Sequence, residues 1–349
     1  MRPSLFIKPG RLKPGDAVAI VSPSWGGPSV YPKAYELGLK NLMETLGVAV
    51  KEYPTARAAD SFLYANPQAR AEDINAAFAD PEVAMILASI GGEDSVRILP
   101  FIDIENALRH PKILMGFSDT ATLLTLFNQH GLVTFNGPSV MAGFATLKQM
   151  PDAFARHVRH MLMEPDRPIV YAPYEVYTES FQDWGLEDYA GGVNLVPNTA
   201  GWQWLQGEGV ARGRLFGGCI EVLEFLKGTR YWPSPDFWEG KALFLETSED
   251  KPSPDQVRYT LRNYGMQGVF DKIAALLFAR PFRYSDTEKE ELRQQIVRVV
   301  AGEFGRPDLP IVSDMDFGHD APQLIMPLGC EVEVDCGRKS VRLTEAPVA

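Results

Sequence analysis

The sequence predicts an α/β protein built on a mostly parallel sheet with a second α/β unit after it. Three observations carry this prediction. Short apolar runs end repeatedly in glycine, proline or serine, amphipathic stretches of helical length follow them, and the alternation is strand, helix, strand instead of a succession of hairpins. The first run, DAVAIVS from Asp16 to Ser22, stops at the turn-rich Pro23, Ser24, Trp25, Gly26 and Gly27. Apolar residues at Tyr35, Leu39, Leu42, Met43 and Leu46 then keep helical spacing up to Gly47, a C-cap residue, before a second strand at Val48 to Val50. The unit repeats: a helix with Ala71, Ile74, Ala77 and Phe78 leads into the strand AMILASI, and the strand KILMG runs into a helix that starts near Thr120.

Between about Pro151 and Gly201 periodicity breaks and aromatic, acidic and proline residues accumulate, as expected of a connector with a lid-like character. Beyond it, GRLFGGCIEVL, KALFLET and KIAALLFA read as strands or buried segments, with helices around Gln256 to Tyr264 and from Thr287 to Phe304. The chain closes on EVEVD and SVRLT, short alternating strands of an antiparallel meander. The expected organisation is an N-terminal domain over 1–150, a connector over 151–201 and a smaller C-terminal domain over 202–349.

A length of 349 residues supplies a sizeable core, and 45% hydrophobic with 23% charged residues is the balance of a soluble globular chain. The net charge of −11 argues against a nucleic-acid or anionic-membrane binder, which needs a basic surface, and leaves a small-molecule or peptide substrate. The N-terminal stretch lacks a signal-like apolar core and no later run is long enough to span a membrane, so a cytoplasmic location is expected. Cys219, Cys330 and Cys336 form no metal-like pair and read as thiols; neither a metal nor a cofactor is expected.

The chemistry concentrates in KILMGFSDTATLLTLF, where an apolar strand meets a Gly-x-Ser turn followed directly by an amphipathic run. A strand-to-helix turn of this kind lifts the Ser118 hydroxyl out of the sheet and leaves first-turn N–H groups, that of Asp119 among them, free to hold an oxyanion. Thr120 stands where α/β-hydrolases carry a second glycine, and Ser118 or Asp119 acting as a simple helix cap is the alternative. Gly91 and Gly92 after AMILASI would let a ligand approach the backbone and supply a second donor, or they form an ordinary βα turn.

Five histidines compete as base. His110 and His130 have turn and helix-end explanations, and His157 with His160, one helical turn apart, are expected on a solvated helix face. His319, in the acidic loop DMDFGHDAP, is the one placed to reach a neighbouring sheet. For the carboxylate that orients it, Glu246 ends an apolar strand whereas Glu249 and Asp250 read as solvated loop charges, though composition alone does not choose among them. Gly207, Glu208, Gly209 and Gly213 mimic a dinucleotide fingerprint but precede a strand, and Asp314 with Asp316 read as solvated or capping acids.

Taken together, IGGEDSVRILPFID, GFSDTATLL, GRLFGGCIEVLEFLKGT, LFLET and DFGHDAPQLIMPLG resemble the LD-carboxypeptidase family, and especially its branch similar to the microcin C self-immunity protein. The resemblance covers nearly the whole chain. It implies a Ser–His–Glu triad on Ser118, His319 and Glu246, an oxyanion hole from Asp119 with Gly91 and Gly92, an N-terminal Rossmann-like domain, a C-terminal α/β domain and a homodimer. The implied activity is hydrolysis of an amide bond at a peptide C-terminus, in a murein LD-peptide or a peptidyl or aminoacyl nucleotide. A non-catalytic peptide- or nucleotide-binding protein on the same scaffold is the alternative. Trp184, Trp202 and Trp204 are candidates for stacking on a nucleotide base, or else pack between domains. Cys219 departs from the asparagine of many relatives, so contacts of Cys219 and Glu221 with substrate do not transfer directly.

Overall fold

In the computed structural model, which describes residues 6–164 and 168–349, two sheets are built one after the other and then tied together by a late strand. Residues 1–5 and 165–167 lie outside this description, and with them the start of the N-terminal stretch and part of the expected connector.

The first βαβ unit follows the sequence pattern. Strand β1 (Ala17–Val21) passes through the turn at Trp25 into helix α1 (Pro32–Leu46) and strand β2 (Ala49–Glu52). Helix α1 buries Tyr35, Leu39, Leu42 and Leu46 on one stripe and stops at Gly47, whose φ of 68° is the left-handed cap that an L side chain resists. Helix α2 (Pro67–Ala79) leads to β3 (Val83–Ala88), and β4 (Ile113–Gly116) leads through a 3₁₀ turn at Ser118–Thr120 into α3 (Ala121–Gln129) and β5 (Thr134–Asn136).

The expected connector contains more order than its composition suggests. It opens with helix α4 (Asp152–Met163), continues through the edge strand β6 (Val170–Tyr171), and forms a small ribbon of β7 (Val176–Tyr177) and β8 (Val196–Pro197). The second sheet follows with β9 (Gln203–Gln206), β10 (Val210–Cys219), β11 (Lys241–Glu246), helix α5 (Pro254–Met266), β12 (Ala275–Ala279), helix α6 (Asp286–Val297) and β13 (Ile311–Met315). Where one helix was expected to reach Phe304, α6 gives way to a wider turn over Arg298–Glu303. Strands β14 (Met326–Leu328), β15 (Glu331–Asp335) and β16 (Ser340–Leu343) complete the chain, and β15 and β16 form the expected antiparallel pair.

The strand order is β14-β5-β4-β3-β1-β2 in the first sheet and β6-β16-β15-β10-β11-β12-β13-β9 in the second. Strands β1 to β5 run parallel, as do β10 to β13, so in each sheet the carboxyl ends of the strands gather on one edge. One element crosses over: β14 leaves the second half of the chain and pairs antiparallel with β5 of the first sheet, Met326 opposite Asn136. Local sequence pattern does not reveal this pairing.

Strand β10 carries consecutive glycines because its neighbours leave no room for side chains. A Cβ on Gly217 would lie 1.7 Å from the Phe244 carbonyl oxygen, and one on Gly218 would lie 2.9 Å from the Ala121 Cβ of α3. Both residues have φ near 150°, a region that favours glycine. Gly217→Ala should therefore lower unfolding free energy by about 3 kcal/mol or more through overpacking, whereas Gly240→Ala, in open space at φ 67°, should cost only the left-handed backbone term of about 1 kcal/mol. Urea denaturation of the two variants checks this, and equal losses would show that the crowding at Gly217 is relieved by a small shift.

Candidate active site

The site is assembled where the carboxyl ends of both parallel sheets meet. Strand β4 ends at Gly116, where a Cβ would fall 2.8 Å from Thr120 and 3.0 Å from Ala88, so the chain turns tightly as only glycine permits. Ser118 follows with φ 55°, a left-handed conformation that costs a non-glycine residue roughly 1–3 kcal/mol and marks a position held by its surroundings. The turn that begins at Ser118 leaves the Asp119 N–H without an intrahelical acceptor. The Asp119 side chain is fully buried, accepts from the Ser95 N–H at 2.8 Å, and burial pushes its carboxyl above the usual range. Its carbonyl accepts from Ser95 Oγ at 2.7 Å. Asp119 thus fixes the turn with its side chain and carbonyl. Gly91 presses on the same point: a Cβ there would meet Ser118 Cβ at 2.9 Å and Oγ at 3.0 Å, with the Asp119 nitrogen at 3.4 Å.

Glu246 closes β11 and its side chain is 1% exposed. Its Oε2 lies 2.7 Å from Nδ1 of His319, and His319 Nε2 lies 3.2 Å from Ser118 Oγ. Gly318 makes this possible, since a Cβ at its φ of 99° would stand 2.7 Å from Glu246 Oε2. The imidazole is further bracketed by Phe117, edge-on at 5.1 Å between ring centres, and by Phe282 at 6.3 Å. Burial alone would lower the pKa of His319, but the charge of Glu246, its hydrogen bond and a second carboxylate, Glu249, push it up to about 10. Glu249 Oε2 lies 3.0 Å from His319 Nε2, and this pairing holds its carboxyl down at about 2. The expectation that Glu249 is a free loop charge is thereby corrected.

The segment that carries His319 is pinned along its length. Arg280 pairs with Asp316 at 2.8 Å and also with Asp320, all three buried, while Gln323 Nε2 donates to the Gly318 carbonyl. The Leu324 N–H donates to the Asp316 carbonyl at 2.6 Å, and Thr178 and Ala321 exchange backbone hydrogen bonds. Asp314 and Asp316 are consequently not solvated: both are buried, with Asp314 paired to Arg293 at 3.0 Å. Nor do His157 and His160 form a solvated face. His157 Nε2 accepts from the Ile325 N–H at 2.8 Å, and burial followed by the charge of His160 lowers the His157 pKa to about 3.

A cavity of about 380 Å³ opens above Ser118 and His319. One wall is aromatic: Trp25 and Trp184 lie nearly parallel, 21° apart with ring centres 6.3 Å apart, and Tyr31 contacts both within 6 Å. Of the three tryptophans singled out from sequence, only Trp184 lines the cavity. Trp202 donates its indole N–H to Asp316 Oδ2 at 2.8 Å, and Trp204 sits on the edge strand β9 opposite Val312. Cys219 is fully buried opposite Glu246 in the β10–β11 register, and burial raises its thiol well above the usual range. Glu221 accepts from Ser248 N–H at 2.9 Å and Oγ at 2.7 Å, so it anchors the loop after β11 and does not face the cavity.

Sequence reading passed over Trp25, Tyr31, Phe282 and Arg283, which also line the cavity. The signal for Trp25 was its place in the turn after β1, since ligands of open α/β sheets bind beyond the strand carboxyl ends. Among the described residues, no group of three or more histidine, cysteine, aspartate or glutamate side chains is placed to hold a metal ion, and no helix is long and apolar enough to cross a membrane.

Comparison with known proteins agrees in fold and extent. The LD-carboxypeptidase N-terminal domain family matches residues 18–137 and the LD-carboxypeptidase C-terminal domain family matches residues 212–334. A putative carboxypeptidase of Vibrio cholerae is 28% identical over 337 residues, 96% of each chain, and the microcin C7 self-immunity protein MccF of Escherichia coli is 25% identical over 79% of this chain and 78% of its own. The crystal structure of an MccF-like protein from Streptococcus pneumoniae in complex with AMP superposes with a TM-score of 0.84 at 28% identity, covering 95% of this chain and 99% of that one.

Gly318→Ala tests the geometry directly. The added methyl should push the loop away from Glu246, abolish the downfield proton resonance expected of a 2.7 Å Nδ1–H···Oε2 bond, and slow fluorophosphonate labelling of Ser118 on the order of 10²-fold. Retention of both in a folded variant would mean that the contact does not depend on the glycine.

Proposed function

Because this chain belongs to the LD-carboxypeptidase family, we propose that it is a serine hydrolase that cleaves an amide bond at the C-terminus of a peptide, with Ser118 as nucleophile, His319 as general base and Glu246 orienting the base. The observation that carries this reading is the continuous Ser118–His319–Glu246 chain of contacts at 3.2 and 2.7 Å, drawn from three separate segments, with Ser118 and His319 on the cavity wall and Glu246 buried behind them. A non-catalytic binding protein has no need of a strained serine beneath a histidine paired to a buried glutamate.

In the reaction, the neutral imidazole takes the Ser118 proton at Nε2 as Oγ adds to the scissile carbonyl. Glu246 holds the Nδ1–H tautomer and stabilises the imidazolium that forms. The oxyanion is received by the Asp119 N–H together with the Gly91–Gly92 turn, whose lack of side chains lets the carbonyl come close. The imidazolium returns its proton to the leaving nitrogen, and a water activated by the same histidine then releases the acyl group from Ser118.

Two substrate classes fit the family: a murein peptide cut before a terminal D-residue, and a peptidyl or aminoacyl nucleotide. The wall of Trp25, Tyr31 and Trp184 favours a substrate with a planar ring, because stacking recovers apolar area without specific hydrogen bonds. The MccF-like protein with bound AMP supports that choice by likeness. A homodimer acting in the cytoplasm belongs to the same reading.

Product analysis by mass spectrometry, with an LD-tetrapeptide and separately an aminoacyl sulfamoyl adenosine, tests the proposal. Wild type should release terminal D-alanine or the sulfamoyl adenosine, Ser118→Ala should lower either rate by at least about 10⁴-fold, and Trp184→Ala should weaken the adenosine substrate alone by about 1–3 kcal/mol. Folded wild type that binds both compounds and cuts neither would establish the binding-protein alternative.

A further inference from the structure

Glu249 has no part in the triad, yet it occupies the triad's working atom. Its Oε2 stands 3.0 Å from His319 Nε2, closer than the Ser118 hydroxyl at 3.2 Å. A carboxylate oxygen only accepts, so at this distance it is attracted to a protonated Nε2 and repelled by the lone pair of a neutral one. The neutral ring is the form that removes the Ser118 proton.

We propose that Glu249 is a gate on the base: in the free protein it holds His319 as imidazolium and fills the space where the leaving nitrogen must reach Nε2, and productive binding requires it to swing aside. This inference rests on the hydrolase reading and concerns the regulation of that same site. Three features make the gate mobile at the tip and fixed at its base. The Glu249 side chain is 64% exposed, whereas Glu246 is 1% exposed and cannot leave. The preceding residue, Ser248, is tied through N–H and Oγ to the half-buried Glu221. Two residues on, Lys251 pairs with Glu288 at 3.0 Å. Rotation of the Glu249 side chain alone therefore opens the site without moving the loop.

The charges that face the imidazole are few. From β11 and its loop come Glu246 and Glu249, while Glu221 and the Cys219 thiol lie behind Glu246. Arg283, on the loop after β12, acts on Glu249, and Asp320, beside His319, is paired with Arg280. From the elbow, Asp119 is the remaining acid, and burial raises its pKa. His319 is raised in the folded protein, so the imidazolium dominates below its pKa and the base becomes available only as pH rises through it. Neutralising Glu249 removes one of the raising charges, which moves that boundary to lower pH.

Two measurements on wild type and Glu249→Gln decide the matter, with Glu249→Asp as a shortened carboxylate. NMR titration of the His319 imidazole, which needs no substrate, should show a midpoint at least one pH unit lower in Glu249→Gln. Fluorophosphonate labelling of Ser118 at pH 7 should be at least fivefold faster in Glu249→Gln, with its acidic limb shifted the same way, and Glu249→Asp should behave likewise if it falls short of Nε2. An unchanged His319 midpoint overturns the gate whatever happens to peptide hydrolysis. A lowered midpoint with unchanged labelling also overturns it, because the base would then be tuned but not obstructed. Failure of the hydrolase reading is a separate result: Ser118 unlabelled in every variant while the midpoint still shifts.

Discussion

The position of His319 is the constraint on which the site depends. Ser118 stands at the end of β4 in the first sheet and Glu246 at the end of β11 in the second. The histidine that touches both lies on the segment that leaves the second sheet after β13 and enters the first as β14. Because each end of this segment is a sheet strand, its length and direction are fixed by both halves of the protein together. The Arg280 clamp on Asp316 and Asp320 and the return bond from Leu324 to Asp316 then remove its remaining freedom. A relative shift of the two sheets would act directly on the distances around the imidazole, so the relation between the sheets is part of the candidate site.

That arrangement also explains where glycine is required. Gly116 allows the elbow, Gly91 allows its turn to close on Ser118, and Gly318 allows the histidine loop to settle on Glu246. Each is a place where backbone comes close to a neighbouring element of the candidate site, and at Gly318 the conformation is one that other residues resist. The strain at Ser118 is sustained by Ser95, which holds Asp119 by two hydrogen bonds, so the elbow is braced from behind by a residue that does not line the cavity.

Most of the fold was legible in the sequence because parallel strands buried on both faces read as unbroken apolar runs, and helices such as α1 carry a clear stripe and a glycine stop. The elbow at Ser118 was legible for the same reason: its chemistry is local. What was hidden is non-local. The pairing of β14 with β5, the burial of Asp314 and Asp316 beneath arginines, and the use of His157 to hold Ile325 N–H all depend on partners more than twenty residues away. The aromatic wall was partly legible. Trp184 stood in a conspicuous aromatic stretch, whereas Trp25 looked like a turn residue and Tyr31 drew no notice, and the choice among the tryptophans depended on distant partners, Asp316 for Trp202 and Val312 for Trp204. Glu249 was misread because exposure and pairing were treated as exclusive, while here an exposed stem delivers a paired carboxylate.

The electrostatics of the pocket bear on how the energy of binding is used. Glu246 is buried with only His319 on its Oε2, and its Oε1 has no hydrogen-bond partner among the described residues. Burying a carboxylate this way is costly unless an opposite charge compensates it, and the imidazolium is the compensating charge at hand. Glu249 adds a second anion on the other ring nitrogen, and both carboxylates favour the protonated histidine. The proposed hydrolysis needs the other state. In that reaction the free energy to reach it would come from substrate contacts made away from the scissile bond, against the aromatic wall, and from interactions that strengthen as the oxyanion forms. A ligand that fills only the aromatic wall would then leave the base protonated, whereas one that also reaches Nε2 and the oxyanion donors would shift it. On this account the spacing between wall and triad, more than affinity for the wall itself, separates a substrate from a ligand that binds without reacting.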